Sequence, residues 1–161
     1  MEHQTASDSN AEALLVSFVD LNPEPEDFLS AVIGGLSAPA KWLPCKFFYD
    51  ERGSQLFDLI CTLDEYYQTR TEISILEERL GEIADLVGRG VHLVELGSGA
   101  SVKIRTLLSA LPDLAQYTAV DISREFLLQS AATLVSDYPN LKVAAVCADY
   151  TRPFKLSSPL N

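Results

Sequence analysis

After Gly90 the apolar positions fall into two alternating rhythms. "HLVEL" (92–96) is a compact apolar run of strand length. Ile104, Leu107, Leu108 and Leu111 then recur at three and four residues, which predicts one helical stripe stopped by Pro112. "YTAVD" (117–121) predicts a second strand, and Ser123 is placed to cap a helix running to about Val135. "KVAAVC" (142–147) predicts a third strand. Helices alternating with near-continuous apolar strands predict an α/β fold with a parallel sheet, covered on both faces and joined by right-handed crossovers.

Before Gly90 the spacing is helical and no strand is evident. Residues 1–10 are polar and read as a disordered tail. "AEALLVSFVDL" (11–21) and "EDFLSAVIGGL" (26–36) each predict a short helix, the second ending at Gly34 and Gly35. "SAPAKWLPCKFFYDERGS" (37–54) reads as an extended connector with aromatic anchors. Ser54 is a candidate cap for "QLFDLICTL" (55–63), whose Leu56, Phe57, Ile60 and Leu63 share a face. Thr69 and Glu72 have capping-box spacing ahead of a longer helix carrying Ile73, Leu76, Leu80, Ile83 and Val87, ended by Gly88 and Gly90. The chain therefore divides into a tail (1–10), a helical region (11–90) and the strand–helix segment (91–161).

Composition narrows the function classes. The 161 residues suit one domain, and 47% hydrophobic with 22% charged residues is an ordinary globular mixture. A formal charge of −11 speaks against a nucleic-acid or anionic-membrane partner, since phosphate binding needs clustered Lys and Arg. No apolar run reaches the roughly 18 to 20 residues that span a bilayer. The start, "MEHQTASDSN", lacks the basic and apolar regions of a signal peptide. Cys45, Cys61 and Cys147 are isolated and lack CxxC spacing, so they read as thiols in a reducing, cytoplasmic setting. His3 and His92 have no metal-like neighbours. No metal is expected.

The chemistry concentrates at "VELGSGAS" (94–101), where the first strand passes through Gly97, Ser98 and Gly99 into a helix. Glycines permit a sharp turn and close approach of a ligand, and the helix start offers free N–H groups. The dinucleotide fingerprint needs a small residue at its sixth position, where this chain has Val102. Glu95, two residues before Gly97, suits a cofactor with a positively charged amino-acid tail. Asp121 ends the second strand 24 positions after Gly97, placed to bond both ribose hydroxyls. The third strand leads to Asp149 and Tyr150, able to bond an adenine amino group and cover its ring. Singly, these features are a tight turn, a helix-start acid and a packed tyrosine. In this order on one sheet edge they point to S-adenosylmethionine more than to NAD.

"LPCKFFYDERGSQLFDLICTLDEYYQTRTEISIL" (43–76) resembles the amino-terminal signature of the histidine-specific, S-adenosylmethionine-dependent methyltransferases, a family that trimethylates the α-amine of histidine in ergothioneine biosynthesis. "KFFYD", "GSQLFD", "EYYQTRTE" and "VELGSGASVKIR" stand in the family's order, and the similarity covers about residues 12 to 155. Gln68 replaces a frequent Pro. The resemblance implies a Rossmann-like methyltransferase fold. It implies cofactor contacts at Gly97, Lys103, Asp121, Asp149 and Tyr150, with Lys103 reaching the methionine carboxylate. It further implies that Tyr66 contacts the substrate L-histidine and that Tyr49 lines the same pocket. No His or Cys nucleophile is required.

Proteins of that family continue beyond the third strand, where a fourth strand pairs with the first and later segments read the substrate's carboxylate and imidazole. The chain is therefore expected to be an amino-terminal part of such an enzyme, with doubtful activity alone. "HLVEL" would then be an open sheet edge prone to self-association. The competing readings are a relative acting on another aromatic amine such as a prenylated tryptophan, a non-catalytic cofactor-binding paralogue, and a nicotinamide dehydrogenase.

Overall fold

The computed structural model describes residues 12, 15, 17–21, 28–99, 101–111 and 113–156. The expected tail (1–10) and the expected helix stop at Pro112 lie outside these residues. Among the described residues four parallel strands form one sheet: β1 (Ser17–Asp20), β2 (His92–Leu96), β3 (Gln116–Asp121) and β4 (Val143–Cys147), in the order β1-β4-β3-β2. β3 and β4 are buried along their whole length, matching their apolar runs. In register, Leu96 faces Val120, and Asp121 faces Cys147, so all carboxyl ends point to one edge.

β1 corrects the reading of 11–21 as a helix. Ser17 to Asp20 pair with Ala144 to Cys147. Phe18 packs into the cluster on one face of the sheet, and Val19 into the cluster on the other. A strand packed on both faces reads as an unbroken apolar run, which at four residues carries no period. The guanidinium of Arg124 fastens it, donating to Asp20 at 3.1 Å and to Glu12, with its carbon 5.3 Å from the Phe18 ring centre.

Two of the helices run between strands: α4 (Val102–Ala110) and α5 (Arg124–Asp137). Ile104 and Leu108 of α4 and Leu127, Ala131 and Leu134 of α5 pack on Tyr117, Ala119, Val143, Ala145 and Cys147. Crossovers stepping the same way across a sheet leave their helices on one side. Full burial of each such leucine contributes roughly 1.5 to 3 kcal/mol. The opposite face carries a smaller cluster of Val120, Val146 and Ala148, against which Phe154 packs. β2 lies at the sheet edge, pairing with β3.

The amino-terminal helices are α1 (Phe28–Ser37), α2 (Glu51–Cys61) and α3 (Gln68–Val87). Three expected termini are corrected. α1 runs through Gly34 and Gly35, because the bare backbone of Gly35 meets Trp42: a Cβ there would sit 2.2 Å from the Trp42 carbonyl oxygen. Close approach, not helix termination, is what the glycine supplies. α2 is capped by Asp50, whose carboxylate accepts Gly53 N–H at 2.7 Å, and Ser54 lies inside the helix. The capping box at α3 does not form. Thr69 instead donates to Cys61 Sγ at 3.4 Å, and Glu72 reaches across to Lys103. Gly88 ends α3 with φ of +76°, as its spacing predicts. The connector before α2 contains a 3-10 turn, Cys45–Phe48. Among the described residues, no helix is long and apolar enough to cross a membrane.

Candidate functional site

The site is built at the carboxyl edge of β2, β3 and β4, where the sequence places its acids and glycines. β2 leaves the sheet through Gly97 (φ +73°), Gly99 (φ +49°) and Ser101 (φ +57°) before α4 begins. Left-handed backbone is easy for the glycines and costs a serine about 1 to 2 kcal/mol, so Ser101 stores strain at the foot of α4. The N–H groups of Gly97 and Ser98 both donate to the Val120 carbonyl, at 2.8 and 3.2 Å. That bond pins the turn to the end of β3.

Asp121 fixes it from the other side. One carboxylate oxygen accepts Gly99 N–H at 3.0 Å, and the other accepts Ser123 N–H at 3.0 Å. The acid expected from the sequence to meet ribose hydroxyls joins the glycine turn to the start of α5. A carboxylate oxygen has two lone-pair sites, so each retains capacity for a ligand donor. Ser123 stands at the α5 cap as expected, without a capping side-chain bond.

Tyr150 lies over Gly97: a Cβ on that glycine would be 2.9 Å from the phenol oxygen. Burial raises the Tyr150 pKa, with Asp121 and Tyr49 adding to it. Its neighbour Asp149 accepts the Thr151 hydroxyl and N–H on one oxygen and Lys46 Nζ at 3.2 Å on the other. Thr151 chiefly, with Lys46, holds the Asp149 carboxyl below the usual carboxylate range. Lys46, in the 3-10 turn before α2, therefore ties the amino-terminal region to the end of β4.

Glu95 is half-buried and accepts the Tyr117 hydroxyl at 2.6 Å. Burial raises its pKa, against the lowering effect of Tyr117 and Lys103. Burial and then Glu95 push the Tyr117 phenol well up, so it stays a donor. Lys103, on the first turn of α4 as predicted, donates to both oxygens of Glu72 on α3 at 3.2 Å.

Tyr49 and Tyr66 come together through Phe57. Tyr49 packs edge-on to Phe57 at 6.2 Å between ring centres, and Tyr66 packs on the same ring at 5.8 Å. A cleft of about 380 Å³ is lined by Tyr49, with Lys46, Phe47, Ser123, Arg124 and Cys147 among its other walls, and Tyr66 does not line it. Cys147 is no nucleophile there. Burial, then Asp20, pushes its thiol up to about 12.

The hydroxyls of Ser98 and Ser101, on either side of Gly99, are buried and make no hydrogen bond. Burying a hydroxyl unpaired costs free energy, so a ligand seated on the turn would relieve it. A glycine turn, unpaired hydroxyls, acids at or beside the ends of β2, β3 and β4 and an aromatic cover suit an adenosyl cofactor. Sequence reading missed Lys46, Glu72 and Tyr117. Lys46 and Glu72 act across long sequence separations, which local spacing does not encode. Tyr117 carried a signal: in "YTAVD" it alternates onto the face that bears Asp121.

A profile of the family described as histidine-specific, S-adenosylmethionine-dependent methyltransferases matches residues 28–160. The chain belongs to this family. It is 41% identical over 139 residues to the histidine N-alpha-methyltransferase of Mycolicibacterium smegmatis, covering 84% of this chain and 43% of that protein. It is 40% identical over 111 residues to ergothioneine biosynthesis protein 1 of Neurospora crassa, covering 67% of this chain and 13% of that protein. A 4-dimethylallyltryptophan N-methyltransferase of Trichophyton verrucosum is 30% identical over 116 residues, 70% of this chain and 34% of that protein. The chain thus spans less than half the length of these relatives.

Proposed function

We propose that this chain supplies the cofactor half of an S-adenosylmethionine-dependent enzyme that methylates the α-amine of L-histidine towards the trimethylated product. The observation that carries the reading is the convergence of Asp121, Tyr150 and the unpaired Ser98 and Ser101 hydroxyls on the Gly97–Gly99 turn. Kinship at 41% identity with a histidine N-alpha-methyltransferase supports the choice of substrate. A Rossmann-like methyltransferase domain, a cytoplasmic location and freedom from nucleic acid complete the proposal. The net charge of −11 favours the last point.

The residues divide the work. Glu95 faces the ammonium of the amino-acid tail, and Lys103 its carboxylate once drawn from Glu72. Asp121 takes the ribose hydroxyls, while Asp149 and Tyr150 hold the adenine. Gly97, Ser98 and Gly99 let the ligand lie against the main chain. When bound, the sulfonium supplies the electrophilic methyl group. Tyr49 and Tyr66 border the amine, with faces and oxygens that favour a cation and exclude water. The protein's contribution is alignment of the nitrogen with the methyl group.

Calorimetry with S-adenosylhomocysteine, NAD and L-histidine tests the reading. Binding of S-adenosylhomocysteine alone is expected, because Tyr49 and Tyr66 are too few groups to orient a zwitterion. Methyl transfer by this chain should be undetectable beside that of a relative of full length. NAD binding in its place would overturn the cofactor assignment, and turnover near the relative's rate would overturn the division of the site. Methylation of a prenylated tryptophan by the assembled enzyme, with histidine left untouched, would move the substrate to the kind named for the Trichophyton relative.

A further inference from the structure

Beneath the glycine turn lies a polar contact that the proposed function does not use. Glu95 and Tyr117 sit on one face of the sheet, because Glu95 pairs with Ala119 and Tyr117 is two residues earlier on β3. Such diagonal neighbours are within reach of a long side chain. The phenol closes on the carboxylate at 2.6 Å, and Tyr117 is fully buried. Its ring is wedged in the cluster with Ile104, Leu108 and Leu127, so the hydroxyl has one fixed direction. The Ser101 hydroxyl lies close enough to lower the Tyr117 pKa yet makes no aligned hydrogen bond.

We propose that Tyr117 is a positioning residue for the cofactor's amino-acid tail, holding the Glu95 carboxylate ionised and oriented at the start of the glycine turn. The inference rests on the proposed S-adenosylmethionine site. Its physical basis is that a half-buried carboxylate loses water and drifts towards its neutral, non-attracting form. One strong donor from the core reverses part of that drift, and it leaves the second oxygen for a cation. A phenol serves better than a lysine, because it adds no charge to compete with the ligand's ammonium.

The test compares two probes: S-adenosylhomocysteine, which carries the amino-acid tail, and 5′-methylthioadenosine, which lacks it. Tyr117→Phe keeps the ring and removes the donor. Its affinity for S-adenosylhomocysteine is expected to fall about tenfold, the scale of one hydrogen bond to a charged group, with methylthioadenosine affinity unchanged. The groups facing Glu95 are Tyr117 and Asp121 on β3, Lys103 on α4 and Glu72 on α3. With the phenol gone, Glu95 keeps its proton to higher pH, so the variant's S-adenosylhomocysteine affinity should fade at a higher pH on the acid side. If Tyr117→Phe does not fold, Tyr117→Met, which also fills the site without a donor, must show the same tail-specific loss. Undiminished S-adenosylhomocysteine binding, or equal losses for both probes, overturns the inference. Failure of the parent protein to bind either probe overturns the proposed function instead.

Discussion

Tyr150 lies over Gly97, so that a Cβ on the glycine would meet the phenol oxygen at 2.9 Å and push the ring aside. Gly97 also holds φ of +73°, which an alanine adopts only at a cost of about 1 to 2 kcal/mol. Gly97→Ala should therefore lower the melting temperature and displace Tyr150. Tyr150→Ala in the same background should recover only the steric part. Equal melts for Gly97→Ala and the parent would mean that the turn relaxes freely.

Gly81 is the opposite case. It lies inside α3, and nothing stands within 4 Å of a Cβ built there. Gly81→Ala should stabilise the protein by about 1 kcal/mol through helix propensity, read from denaturant midpoints.

Asp121→Ala removes the acceptor of both Gly99 and Ser123 N–H groups. The loss should reach S-adenosylhomocysteine affinity by about 1.5 to 3 kcal/mol and also cost stability, since two turns lose their common anchor. Unchanged affinity in a folded variant, measured by calorimetry, would remove Asp121 from the site.

The acid limb of stability should report on Asp149. Its folded pKa lies below the ordinary 3.8, so its contribution is complete above that value and is lost as pH falls through the folded pKa. The melting-temperature gap between the parent and Asp149→Asn should hold steady from neutral pH downward and close only below the usual carboxylate range. A gap closing near pH 6 would point to another group.

Among the described residues β2 is paired on one side only, by β3, and an uncovered strand edge can pair with another chain. Leu96, 56% exposed at its end, is a site where a charge should discourage it. Concentration-dependent association in sedimentation, reduced in Leu96→Lys, is the expected result.

The parallel sheet after Gly90 was readable because each strand there is an apolar run bounded by turn residues. The positions of Asp121 and Asp149 at one sheet edge were readable because they stand where those runs end. β1 was not readable: at four residues it has no period, and its partner Ala144 is remote in sequence. Helix caps failed for a related reason. Ser54 gives way to Asp50, whose local bond to Gly53 N–H starts the helix earlier, whereas the Thr69–Glu72 pair has the right spacing but Cys61 and Lys103 offered other partners in three dimensions. Spacing reveals what a residue could bond, and tertiary geometry chooses.

The pairing of β1 with β4 also sets an order of events on the ribosome. Ser17 leaves the exit tunnel early, and Ala144, its partner, emerges 127 residues later. Until then Phe18 and Val19 have no strand to lie against, and Arg124, which clamps Asp20, is made only shortly before that partner. The first strand must wait unpaired until those 127 residues have followed it. Closing so long a loop is slow, and it makes the sheet an all-or-nothing object. Trimming the chain before residue 21 should therefore damage the far end of the protein as surely as a cut inside β4.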